Sequence, residues 1–114
     1  MYIFRLYLGR KIGTGPDARE VTGPHLDSFL ADTVAPVWPG FTVIGARGYW
    51  NHESEPTTIL EHVCDHNATE TAVRLAEHYA ARFDQESVLL IAIGPKGPKG
   101  TFVESTATTR ALYR

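Results

Sequence analysis

The chain has 114 residues, 43% hydrophobic and 21% charged, the composition of a single globular domain with a modest core. A formal net charge of −2 and a pI near 6.2 exclude a general basic field for nucleic acid. The single Cys64 excludes an intrachain disulfide, and the opening run, interrupted by Arg5, is neither a signal peptide nor a membrane span, so a cytoplasmic protein without membrane contact is expected.

In "YIFRLYLG", Tyr2, Phe4, Leu6 and Leu8 alternate with Ile3, Arg5, Tyr7 and Gly9, the period of a strand with one apolar face. The glycines and prolines of "GTGPDAREVTGP" predict a loop, long enough to serve as a lid or as variable surface. Leu26, Phe29, Leu30 and Val34 follow at helical spacing, with Pro24 in the first turn and Pro36 as the stop, which predicts a helix over 24–35. "PGFTVIGARGYW" reads as a turn and then a second strand, "NHESEP" as the hairpin connection and "TTILEHVCD" as the returning strand.

Asn67, with Glu70 three residues on, has the form of a capping box and opens a second helix. That helix places Ala72, Leu75, Ala76, Tyr79 and Phe83 on one stripe and ends near Asp84. "ESVLLIAIG" is apolar on both faces, as a central strand would be. The remainder divides into a Gly-Pro-Lys loop, a short extra strand at "TFVEST" and a tail. The order of elements predicts an α+β, ferredoxin-like βαββαβ sandwich with an antiparallel sheet, residues 1–94, and a loop and C-terminal extension, residues 95–114. Within it, strands one and three are expected to run parallel, which would hold the end of strand two and the start of strand four apart.

The stretches "GFTVIGARGYW", "EPTTIL" and "RFDQESVLL" resemble a small bacterial domain-of-unknown-function family. Its pattern pairs a Gly-x-Thr-Val-x-x-Ala-x-Gly-x-Trp run with a Gln-Glu-Ser-Val-Leu strand entry. The resemblance covers about Phe4 to Leu90 and singles out Trp50, Glu55, Gln85 and Glu86 as positions that strand packing alone does not explain. It implies a fold and a set of positions, and no activity.

The densest polar group is "WNHESEPTTILEHVCDH". Imidazole and carboxylate together suit proton transfer, so His52, Glu55 and His62 are the catalytic candidates. Adjacent strand residues such as Glu61 and His62 face opposite sides, and the spacings match no metal signature; no metal site and no cofactor are expected. The Gly-x-Ser-x-Gly elbow of hydrolases is missing.

Arg5 and Tyr7 share a strand face and could form a pocket floor for a carboxylate or phosphate. Lys96 and Lys99, in "GPKGPKG", could reach an anion from the loop, although the pattern is not that of a P-loop. With Trp50, Gln85 and Glu86 these four are the ligand-binding candidates.

The first functional expectation is a non-catalytic homo-oligomer that binds a small, anionic or nucleotide-like molecule. Its apolar second sheet face would be covered by another copy, as a homodimer or higher assembly. The alternatives are a small dimeric α+β-barrel enzyme using His/Glu proton transfer, or a protein-interaction module.

Overall fold

The computed structural model describes residues 1–113. Strand β1 (Tyr2–Gly9) buries Phe4, Leu6 and Leu8 on one face, as its alternation requires, and leaves Ile3, Arg5 and Tyr7 half-buried on the other. The next segment is more ordered than a plain loop. β2 (Lys11–Ile12) and β3 (Arg19–Glu20) pair as a two-stranded ribbon around Gly13 and Gly15, both at positive φ.

Helix α1 (Gly23–Phe29) starts where the Thr22 hydroxyl accepts the His25 N–H and Pro24 fits the first turn. It buries Leu26 and Phe29, then widens into one π-helical turn over Leu30–Val34 before the buried Trp38. β4 (Thr42–Trp50) and β5 (Glu53–Cys64) follow as a hairpin. Its turn is only Asn51 and His52, both in the left-handed region at φ 48° and 64°. Such a two-residue turn matches the twist of the strands it joins, so Glu53–Pro56, expected as part of the connection, belongs to the ladder instead.

Helix α2 (Thr69–Arg82) buries Ala72, Leu75, Ala76, Tyr79 and Ala80. Its start is fixed differently from the expected capping box. Asn67 Oδ1 accepts both the backbone N–H and the hydroxyl of Thr69, while Glu70 pairs with Arg74 at 2.7 Å. β6 (Val88–Gly94) and β7 (Gly97–Val103) form a second hairpin around Pro95–Lys96, and the Thr106-capped α3 (Ala107–Ala111) closes the chain. Most of the Gly-Pro-Lys repeat is therefore strand.

The protein is an α+β structure built on a five-stranded antiparallel sheet in the order β4-β5-β1-β6-β7. Phe29 of α1, Tyr79 of α2 and Phe83 just past the end of α2 pack edge-on or tilted against one another, with ring centroids 4.9–6.0 Å apart, and join Phe4, Leu6, Leu60, Val88 and Leu90 in one core. No described helix is long and apolar enough to cross a membrane.

One sequence expectation about strand direction is overturned. β1 and β5, the first and third of the strands foreseen, run antiparallel. A hairpin reverses the chain once, and the register Tyr2↔Cys64 through Gly9↔Thr57 carries that reversal to β1. The end of β4 and the approach to β6 consequently lie at the same end of the sheet.

Candidate functional site

That shared end is where the chain's unabsorbed polar and aromatic residues meet. Residues opposite one another in an antiparallel ladder point to the same face. Arg5 and Tyr7 therefore share a face with Glu61, Ile59 and Thr57 on β5, with Ile91 and Leu89 on β6, and, one strand further, with Phe102 on β7. Gly48 and Trp50 on β4 lie opposite Glu55 and Glu53 on that same face. It is the face away from the core.

At its upper end lies a cavity of about 640 Å³. Half-buried Tyr7 and Leu89 belong to its lining. Trp50 and Phe102 stand on the rim, 76% and 70% exposed, and Glu55, Glu86 and Glu104 contribute carboxylates. No lysine or arginine is among the described lining residues.

Two glycines make the floor. A Cβ at Gly9 would stand 3.2 Å from both Glu55 Oε1 and Gln85 Oε1, and one at Gly48 would stand 2.9 Å from the Thr57 hydroxyl. The absence of side chains there lets Glu55 and Gln85 lean over β1. Gln85 is fixed by its amide, which donates to the backbone oxygens of Lys11 (2.9 Å) and Phe83 (3.1 Å), so its Oε1 is the atom turned toward Gly9.

Beneath the floor, the buried Tyr79 hydroxyl donates to the Gly9 carbonyl at 2.6 Å. Burial pushes the Tyr79 phenol well above its usual range; the Glu55 carboxylate adds to the shift and Arg10 opposes it. The hydroxyl therefore stays protonated and donating through neutral pH.

Of the residues singled out from sequence, the structure brings Tyr7, Trp50, Glu55, Gln85 and Glu86 to this one cavity. Arg5 lies two residues from Tyr7 on the same face, but its Nε binds Glu61 at 2.8 Å, outside the lining. His52 is an exposed residue of the β4–β5 turn. His62 is buried on the core side of the sheet, stacked on Trp38 with ring centroids 4.7 Å apart and its Nδ1 2.6 Å from the Gly40 carbonyl oxygen. His52, Glu55 and His62 thus form no common site, because positions 55 and 62 differ by an odd number and face opposite sides of β5.

Lys96 and Lys99 line a depression of about 350 Å³ at the other end of the sheet, beside Tyr2 and the start of α2. They cannot serve the same ligand as Tyr7. Among the described residues, no group of three or more His, Cys, Asp or Glu is placed to hold a metal ion. Gly9, Phe102 and Glu104 are not among the sequence candidates, and Gly48 stands there only as part of the Gly-x-Trp run of the family resemblance. Antiparallel direction would have brought in the two glycines, whereas Phe102 and Glu104 depend on the pairing of β7.

The fold is similar to that of solved structures. A phage SAM lyase in its apo state superposes with a TM-score of 0.66 at 17% identity, covering 90% of this chain and 89% of that one. The phage SAM lyase in complex with S-methyl-5'-thioadenosine gives 0.65 at 15% identity, with the same coverage. At these identities the likeness is one of fold. The chain belongs to the family described as "Protein of unknown function (DUF3574)", whose model matches residues 4–96. It has no match among curated proteins.

Proposed function

We propose that the cavity binds a cationic, adenosine-bearing small molecule of the S-adenosylmethionine class, and that the chain acts on it as a lyase. The observation that carries this reading is the lining itself: Tyr7, Trp50 and Phe102 beside Glu55, Glu86 and Glu104, without a basic side chain among the described residues. Aromatic faces stack on a purine and attract a cation through their quadrupole, and carboxylates strengthen that attraction. An anionic ligand would meet three carboxylates here, so the anionic version of the binding hypothesis is set aside for this cavity. The likeness to a SAM lyase, one form of it solved with S-methyl-5'-thioadenosine, supports the ligand class.

Glu55 is the residue assigned to proton transfer, since it leans over the cavity floor and the two histidine candidates lie elsewhere. In an elimination, its carboxylate takes a proton from the carbon adjacent to the one bonded to sulfur. The C–H electron pair becomes the new double bond, and the C–S pair leaves with sulfur as a neutral thioether. No oxidant, water or metal is needed for that balance.

The frame is read as ferredoxin-like with additions. With the β2–β3 ribbon and β7 set aside, the elements run β1, α1, β4, β5, α2, β6, and the sheet order reads β6-β1-β5-β4. The open face is assigned to contact with a second copy. Its one central charge pair, Arg5–Glu61, is neutralised within the chain among Ile3, Ile44, Ile59 and Ile91, so packing the central part of the face, away from the cavity's carboxylates, leaves no unpaired charge there.

Incubation with S-adenosylmethionine, followed by chromatography for S-methyl-5'-thioadenosine, tests the reaction. Product formed by the wild type and not by Glu55→Gln supports the lyase. Saturable binding without product removes the enzyme and keeps the binding protein.

A further inference from the structure

The cavity does not end at Trp50. A second concavity, of about 320 Å³, shares Trp50 and Glu55 with the first and is otherwise lined by Lys11, Thr14, Asn51, Glu53, Ser54 and the glycines of the β2–β3 loop. Its chemistry differs in kind. The main cavity offers aromatic faces and carboxylates, whereas this one holds an ammonium and a carboxylate side by side, with Lys11 Nζ 2.6 Å from Glu53 Oε2.

The Glu53 side chain is 70% exposed, and ion pairs in such settings contribute little net stability. A ligand can therefore exchange into the pair at small cost. An α-amino-acid group, with its carboxylate and ammonium on one carbon, is the complementary shape: the carboxylate meets Lys11, the ammonium meets Glu53, and both contacts are charge-assisted hydrogen bonds.

The surroundings suit such a guest. Thr14 makes no capping bond to the turn it precedes, and its hydroxyl and the Asn51 amide line the same space. Gly13 and Gly15, at φ 76° and 72°, have nothing within 4 Å of where a Cβ would stand, which keeps this wall low. Lys11, through its hydrogen bond and its charge, holds the Glu53 carboxyl below the usual carboxylate range, so Glu53 remains ionised at neutral pH.

We infer that Lys11 and Glu53 form a second subsite that takes an α-amino-acid tail carried by the group in the main cavity, selecting tailed over tail-less ligands. The inference rests on the reading of the main cavity as an adenosyl site. It adds residues that the functional proposal did not use.

Calorimetric titration of the full chain with two uncharged-sulfur probes tests it: S-adenosylhomocysteine, which carries the tail, and S-methyl-5'-thioadenosine, which does not. The wild type is expected to bind the tailed probe about tenfold or more tightly, an advantage set by two charge-assisted contacts. Lys11→Met is expected to remove that advantage and leave the affinity for the tail-less probe unchanged. Glu53→Gln, checked like the first variant for a wild-type circular dichroism spectrum, should repeat the result and stands in if Lys11→Met fails to fold. Equal affinities for the two probes in the wild type, or an advantage that survives both substitutions, overturns the subsite and leaves the adenosyl reading standing. A wild type that binds neither probe overturns the subsite, and the adenosyl reading falls with it only where S-adenosylmethionine itself does not bind.

Discussion

Gly9 and Tyr79 show how single residues set the cavity floor. A methyl group at Gly9 would press on Glu55 Oε1 and Gln85 Oε1, both 3.2 Å away, and Gln85 is pinned by two backbone oxygens, so Glu55 is the side chain that yields. Gly9→Ala is therefore predicted to weaken binding of S-adenosylmethionine severalfold and to cost about 1–3 kcal/mol of stability, because the pinned Gln85 cannot clear the methyl group as Glu55 can, measured by titration and urea denaturation. Tyr79→Phe acts on the other side of the same residue. It removes the donor to the Gly9 carbonyl, and its predicted cost is about 1 kcal/mol in urea unfolding, because a half-buried acceptor loses its partner. Tyr7 is legible in the sequence from the alternation that sets it on one face with Arg5, and Glu55 from the polar run around it, whereas Trp50, Gln85 and Glu86 are legible through the family resemblance. Gly9 was invisible there: a glycine at a strand end carries no sign of what leans over it.

Among the elements, local periodicity was the reliable guide. The alternation of β1 and the apolar stripe of α2 depend on neighbours a few residues away, and both elements occur where the pattern places them. β7 was half-hidden because glycine and proline signal turns, whereas pairing with β6 draws Gly97, Pro98 and Gly100 into a strand. The 24–35 helix keeps its extent but not its form, ending in the π-helical turn Leu30–Val34.

The same segment carries the tie between the helices. Asp32 accepts from the Thr33 hydroxyl at 2.6 Å and from Arg82 of α2 at 2.9 Å, and these bonds, the hydroxyl first, hold its carboxyl below the usual value of 3.8. A depressed folded-state value adds stability that is fully present above 3.8 and is lost as pH falls through the lower folded value. Urea midpoints compared at about pH 5 and about pH 3 should show a smaller acid loss in Asp32→Asn than in the wild type.

At the scale of the molecule, strand direction decided what could be read as a site. A parallel relation between β1 and β5 would keep Trp50 away from Gln85 and Glu86; the antiparallel ladder unites them, and no local sequence signal reports that relation. The open face belongs to this scale too. Ile44 and Val63, 40% and 50% exposed, lie on it beside the Arg5–Glu61 pair. The wild type is predicted to sediment as a homo-oligomer and Ile44→Lys to shift it toward monomer with an unchanged far-ultraviolet spectrum; a monomeric wild type would remove the assigned second copy. Lys96 and Lys99, at the far end of the sheet, are predicted to leave the cavity untouched when changed to glutamine.

The central claim is that an acidic, aromatic cavity on the open face holds an adenosyl cation. Titration of S-adenosylmethionine into the wild type, Trp50→Ala and Glu55→Gln tests it most directly. The account predicts saturable binding by the wild type that weakens as salt is raised, and a loss of about tenfold in each variant, from a lost stacking face in one and a lost charge in the other. Wild-type chain that binds no S-adenosylmethionine, or variants that bind it as tightly as the wild type, would contradict it.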